Sequence, residues 1–134
     1  HSVDLIRFFG GDVKSVKSES NPDDFKFHAE GVCENNIEFS YSSNWNEVKT
    51  WNITILADEI KIIFEPLEKG KIITNHDEIE LNPSKEDLEF KPGFFSQLSH
   101  FLENVVTKNN IVWPGSNLED HRKSIKLVED IFKK

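Results

Sequence analysis

The first residues with the types and spacing for chemistry are His1 and Asp4, a histidine three positions ahead of an aspartate. On a helix, positions three apart share a face, so the Asp4 carboxylate can hold one ring nitrogen of His1, set its tautomer and raise its basicity. A histidine held that way suits proton transfer. The plain alternative is a terminal histidine with no role, beside an Asp4 that is merely solvated or capping. The other candidates are weaker. His28 falls on a polar strand face, His76 in a turn, and His100 and His121 on helices, with no two at the i, i+4 spacing of a helical metal pair, so no metal site is expected. No Gly-x-Ser-x-Gly turn or Cys-His signature is present, and Cys33 on an apolar strand face reads as a small core residue. The sequence also lacks the Gly-x-Gly-x-x-Gly and Gly-x-x-x-x-Gly-Lys loops that cradle phosphates, so this chain is expected to bind no dinucleotide.

What must position His1 and Asp4 is a helix. Leu5, Phe8 and Phe9 fall at three- and four-residue spacing, and Gly10-Gly11 follows as a stop, where a left-handed backbone carries no Cβ penalty. No N-cap precedes the pattern, which predicts a chain that starts in mid-helix, as the second half of a longer polypeptide. Residues 12–20 then read as a strand with Val13 and Val16 as its apolar members, and Asn21-Pro22-Asp23-Asp24 supplies turn chemistry. Phe25, Phe27, Ala29, Gly31 and Cys33 alternate with Lys26, His28, Glu30, Val32 and Glu34, the period of a strand with one buried face. Asn35-Asn36 turns the chain into a partner strand carrying Ile37, Phe39 and Tyr41 on one side.

Trp51, Ile53 and Ile55, then Ile60, Ile62 and Phe64, predict a second hairpin, and residues 71–74 and 78–81 a last, peripheral one. Residues 82–91 are charged and read as irregular. A helix is predicted from near Gly93, with Phe94, Leu98, Phe101, Leu102 and Val105 along one side. The closing helix takes Asn117 as N-cap and Asp120 as its capping-box partner. Leu118, His121, Ile125, Val128 and Phe132 form its apolar face, and Lys133-Lys134 complements its dipole. One helix, six or seven strands and two helices in that order predict an α+β fold. It would be an open-faced, mainly antiparallel or mixed sheet with helices on one face, in a single domain over residues 1–134.

Three of these stretches carry a resemblance. His1-x-x-Asp4-Leu5-Ile6-x-Phe8-Phe9-Gly10-Gly11, running into Val13-x-x-Val16, resembles the segment that opens the C-terminal domain of the Gfo/Idh/MocA oxidoreductases, the family of glucose-fructose oxidoreductase and inositol dehydrogenase. Pro92-Gly93-Phe94-Phe95-x-Gln97-Leu98-x-x-Phe101-Leu102-Glu103-Asn104-Val105 resembles the helix that follows that domain's sheet. Asn117-Leu118-Glu119-Asp120-x-x-Lys123-Ser124-x-Lys126-Leu127-Val128-Glu129 resembles its closing helix. The resemblance implies the substrate-side domain of an NAD(P)-dependent sugar dehydrogenase. His1 would then lie in the substrate pocket and accept the hydroxyl proton as the carbon gives up hydride, with Asp4 orienting it. NAD or NADP would be held by a Rossmann domain ahead of His1, so this chain alone would bind no cofactor and be inactive. The sheet's open face, with Ser40, Ser42, Asn52, Thr54, Val32 and Leu56, would pack copies into a dimer or tetramer.

Composition narrows the partners. Twenty-four acidic against 16 basic residues give a net charge of −8, which repels a phosphate backbone and disfavours nucleic acid. The longest apolar runs are a few residues against the ~20 needed to span a bilayer, so no membrane partner is expected. The single cysteine, Cys33, forms no internal disulfide and fits a reducing, cytoplasmic location. The 11 phenylalanines fall at core spacing and read as core, while Trp45 and Trp113, near loops, are positioned to edge a sugar-like substrate. The alternative from another class is a free-standing α+β binding or assembly module without chemistry of its own.

Overall fold

Helix α1 (Ser2–Gly10) ends as its glycines require: Gly11 takes φ +82° and its N–H returns to the Arg7 carbonyl at 2.9 Å. The structure, a computed structural model, describes residues 2–21, 23, 25–48, 51–111 and 114–132. The chain is α+β and folds as two compact units, His1–Val48 with Ile111–Lys134, and Lys49–Asn110.

In the first unit, β1 (Val13–Asn21), β2 (Lys26–Cys33) and β3 (Glu38–Asn44) form an antiparallel sheet in the order β1-β2-β3. The registers Ser18↔Ala29↔Tyr41 and Val16↔Gly31↔Phe39 set one face. Helices α1 and α4 (Leu118–Phe132) pack on this sheet. The core is Val3, Ala29, Leu127 and Ile131, with Ile6, Val13, Val16, Tyr41 and Phe132 against it. The Phe132 ring stands 4.5 Å from that of Phe27 and 6.1 Å from that of Tyr41. The β2–β3 turn is closed by Cys33 N–H to the Ile37 carbonyl at 2.8 Å, and Asn36 takes φ +59°, the conformation asparagine tolerates best after glycine. Gly10 is buried against Cys33, where an added Cβ would sit 2.7 Å from the Cys33 sulfur.

Three assignments of facing change. On α1 the inward stripe is Val3, Ile6, Arg7 and Gly10, not Leu5, Phe8 and Phe9; Phe8 and Phe9 are exposed. Apolar residues run nearly all round this helix, so periodicity alone could not phase it. On α4 the inward stripe is Asp120, Ser124, Leu127 and Ile131, while Leu118, Ile125 and Val128 are exposed, Leu118 at 89%. Polar residues occupy half of the true stripe, and they are inward because Arg7 meets them. Phe25, expected as the first buried strand residue, is 56% exposed at φ +52°. The ladder starts at Lys26↔Asn21, leaving Phe25 in the turn.

The second unit is a four-stranded antiparallel meander of β4 (Ile53–Ala57), β5 (Ile60–Phe64), β6 (Gly70–Thr74) and β7 (Glu78–Leu81), in that order. Its register places Ile55↔Ile62↔Ile72↔Ile79 directly opposite one another across all four strands, with Ile53↔Phe64↔Gly70↔Leu81 on the same face. The Phe64 ring lies over Gly70, where an added Cβ would come within 2.7 Å of it. After β7, the charged stretch read as irregular contains a short helix, α2 (Lys85–Glu89), capped by Ser84, whose Oγ accepts from Asp87 N–H at 3.1 Å. Helix α3 (Phe94–Thr107) follows between two left-handed residues, Gly93 and Lys108.

Among the described residues, seven strands make two sheets rather than the single sheet of six or seven expected, and every pairing is antiparallel. Alternation and turn residues specify neighbours within a hairpin, and nothing in them specifies a pairing of β3 with β4. The end of β3 instead curls into an Asx turn, with Asn46 N–H bonded to Asn44 Oδ1 at 3.1 Å. The phenylalanines also depart from expectation: none of the eleven is fully buried. No helix among the described residues is long and apolar enough to cross a membrane.

Candidate functional site

The site read from the sequence begins at the first turn of α1. His1 lies outside the described residues, as does Trp113. Asp4 is placed on the side of α1 that meets α4, with its side chain about half exposed. Its Oδ1 accepts a hydrogen bond from Ser124 Oγ and lies 3.9 Å from the Arg7 guanidinium, one helical turn on.

Arg7 is the centre of this arrangement, and its side chain is only 10% exposed. Its Nε and Nη2 donate to Asp12 Oδ1 at 3.2 and 2.7 Å. Its Nη1 donates to the Asp120 carbonyl and to Ser124 Oγ, both at 2.7 Å. Lys123 Nζ donates to the other Asp12 oxygen. Hydrogen bonds from Lys123 first, and Arg7 second, hold the Asp12 carboxyl below its ordinary value, while Asp12 raises the Lys123 ammonium above its own. Chain elements more than 110 residues apart are tied together here by ionic hydrogen bonds, which are stronger than neutral ones.

Chemically, the cluster is an anchor. A carboxylate held ionised by two cations is a poor proton acceptor at any pH near neutrality, so Asp12 is no general base. What the cluster does is fix the first turn of α1 against α4, and with it the position of Asp4. Sequence reading named Asp4 but missed Arg7, Asp12, Lys123 and Ser124, and it assigned Asp120 only to a cap. That cap is present: Asn117 Oδ1 accepts from Asp120 N–H at 3.0 Å, and Asp120 Oδ2 accepts in return from Asn117 N–H at 3.4 Å.

Elsewhere, His28 Nδ1 meets Ser42 Oγ at 2.8 Å and its Nε2 meets Glu30 Oε1 at 3.4 Å, on the polar face of the first sheet. His28 and Ser42 are direct cross-strand partners on an exposed surface, so the trio reads as sheet stabilisation. Cys33 is a free, buried thiol whose pKa is pushed up by burial, then by the charge of Asp12, as befits a core residue rather than a nucleophile. Among the described residues, no three His, Cys, Asp or Glu side chains are grouped to hold a metal ion. Open hollows occur in the second unit. One of about 460 Å³ lies at the β4–β5 turn, by Leu56, Ile60 and Ile73; one of about 580 Å³ lies in the α2–α3 elbow, by Phe90, Phe94 and Phe101. Neither includes Asp4.

No protein-family model matches the chain, and no curated protein or solved structure matches it either.

Proposed function

We propose that this chain is the substrate-side domain of a two-domain NAD(P)-dependent dehydrogenase acting on a sugar-like alcohol. In this reading His1 accepts the hydroxyl proton and Asp4 orients it, while NAD or NADP is held by a Rossmann domain ahead of His1. The observation that carries the reading is the anchoring of α1. A proton acceptor at the residue ahead of a helix needs that helix held in place, because misplacement by about 1 Å costs on the order of a hundredfold in rate. Arg7, with five donor contacts to Asp12, Asp120 and Ser124, and Ser124 Oγ on Asp4, supply that rigidity. The resemblance of the three quoted stretches adds the reaction class.

The test is calorimetric titration of this chain with NAD and NADP, beside titration of the intact two-domain polypeptide. The reading expects the nucleotide to bind only when the preceding domain is present. Micromolar binding to this chain alone would overturn it.

A second reading, a binding or assembly module without chemistry, is favoured by a different observation. Among the described residues of the second unit no apolar side chain is buried.

A further inference from the structure

Ser124 is a buried hydroxyl on α4, only 7% exposed, and it stands between the Arg7 guanidinium and the Asp4 carboxylate. The direction of its proton follows from the hydrogens available. Arg7 Nη1 carries two; one goes to the Asp120 carbonyl and the other to Ser124 Oγ, both at 2.7 Å. Ser124 Oγ therefore accepts from Arg7, and its single proton is left for Asp4 Oδ1. A helical serine often returns that proton to the carbonyl four residues back, here that of Asp120. That oxygen already takes the Arg7 proton beside the helix's own bond. From this chain of donors we propose that Ser124 is a positioning residue, which carries the pull of the Arg7 cation to Asp4 and fixes which carboxylate oxygen is left for the His1 ring. The inference rests on the dehydrogenase reading, in which Asp4 orients the proton acceptor, and adds to it the group that orients Asp4.

Asp4 differs in one respect from the other carboxylates that meet Arg7. Asp12 has both oxygens engaged, Oδ1 by Arg7 and Oδ2 by Lys123. Asp120 likewise accepts from Arg7 through Oδ1 and from the Asn117 N–H through Oδ2. Asp4 is held on Oδ1, and its Oδ2 has no hydrogen-bond partner among the described residues, on a side chain 49% exposed. One oxygen is tied to the anchor and the other is left to accept, as a carboxylate that orients an imidazole requires. The direct approach of Arg7 to Asp4 is 3.9 Å, too long for a hydrogen bond, so the arginine reaches Asp4 through the serine. A hydroxyl that accepts from a cation is itself the stronger donor. Without it, Asp4 is free to change rotamer, and a displacement of about 1 Å in the group that sets the acceptor costs on the order of a hundredfold in rate.

The test pairs a rotamer measurement on this chain with kinetics of the two-domain polypeptide that the reading proposes. Three-bond couplings from Asp4 Cγ to its backbone nitrogen and carbonyl carbon read the populations of its χ1 rotamers. Wild type and Ser124→Thr, which keeps the hydroxyl, should each show one rotamer, and Ser124→Ala should show averaging within an otherwise folded amide spectrum. In the two-domain polypeptide Ser124→Ala should lower kcat by about ten- to a hundredfold with nucleotide affinity unchanged, and Ser124→Thr should recover most of that loss. A folded Ser124→Ala chain whose Asp4 keeps its single rotamer, or a wild-type chain whose Asp4 is already averaged, would overturn the proposal and leave the dehydrogenase reading standing. A loosened Asp4 with kcat unchanged would confine Ser124 to the anchor and overturn it as well. Wild type that reduces nicotinamide with no alcohol would overturn the reading and this inference together.

Discussion

Replacing Arg7 with methionine keeps the length and apolar stem of the side chain and deletes its charge. Five hydrogen bonds disappear: two to Asp12 Oδ1, one to the Asp120 carbonyl, one to Asp120 Oδ1 and one to Ser124 Oγ. Removing one partner of a buried ionic cluster costs about 3–5 kcal/mol. The lower end applies here, since the Asp12 side chain is 31% exposed and keeps Lys123. The expected loss is therefore about 3 kcal/mol, or a little more than a hundredfold in the opening equilibrium of the first unit. Amide hydrogen exchange reads this element by element. Protection in α4, β1 and α1 should fall by about a hundredfold, while β4–β7 stay within a factor of about three. Replacing Asp12 with leucine as well should recover part of the loss, because the stranded carboxylate goes with it. Unchanged protection in α4, or an equal loss in both units, would refute the assignment of Arg7 as the anchor.

Three further outcomes follow from the same structure. Gly10→Ala places a Cβ 2.7 Å from the Cys33 sulfur and should cost about 1–3 kcal/mol by urea unfolding, mostly relieved in a Cys33→Ala background; equal cost in both backgrounds would break the assigned contact. Acid should loosen the first unit through Asp12. Its folded pKa lies below the ordinary 3.8, so its stabilisation is complete above that value and is lost as pH falls through the folded pKa. Exchange protection in α4 should therefore decline below about pH 4 in wild type and decline less steeply in Asp12→Asn; parallel profiles would assign the acid sensitivity to other carboxylates. Titration with NAD and NADP should give no heat from this chain, and micromolar binding would contradict the two-domain reading.

How much of this was legible depended on whether the signal was local. The stop of α1 at Gly10-Gly11, the Asn35-Asn36 turn and the Asn117 cap were readable, because each is decided within a few residues by φ or by one side chain on a nearby N–H. The phases of α1 and α4 were not readable. Leu5, Phe8 and Phe9 make as good a stripe as Val3, Ile6 and Gly10, and the choice is made by Arg7 meeting Ser124, a contact between residues 117 apart. The division into two sheets was hidden for the same reason, since alternation in β3 and in β4 says which face is apolar but not which edge is paired. Asp4 could be singled out by its spacing from His1, but its bond to Ser124 could not. Nor did apolar spacing in α3 imply burial: periodicity describes a face that suits packing, and Phe94, Leu98 and Phe101 carry that face exposed.

In the proposed reading, His1, the residue ahead of α1, accepts the proton of an alcohol being oxidised. The most direct test is the rate of nicotinamide reduction by the two-domain polypeptide that the reading proposes, across a panel of sugars and inositols, for wild type and for His1→Ala. Alcohol-dependent reduction is expected in wild type, falling by roughly two to four powers of ten in the variant with nucleotide affinity nearly unchanged. Reduction that proceeds at the wild-type rate in His1→Ala, or no reduction with any alcohol of the panel, would contradict it.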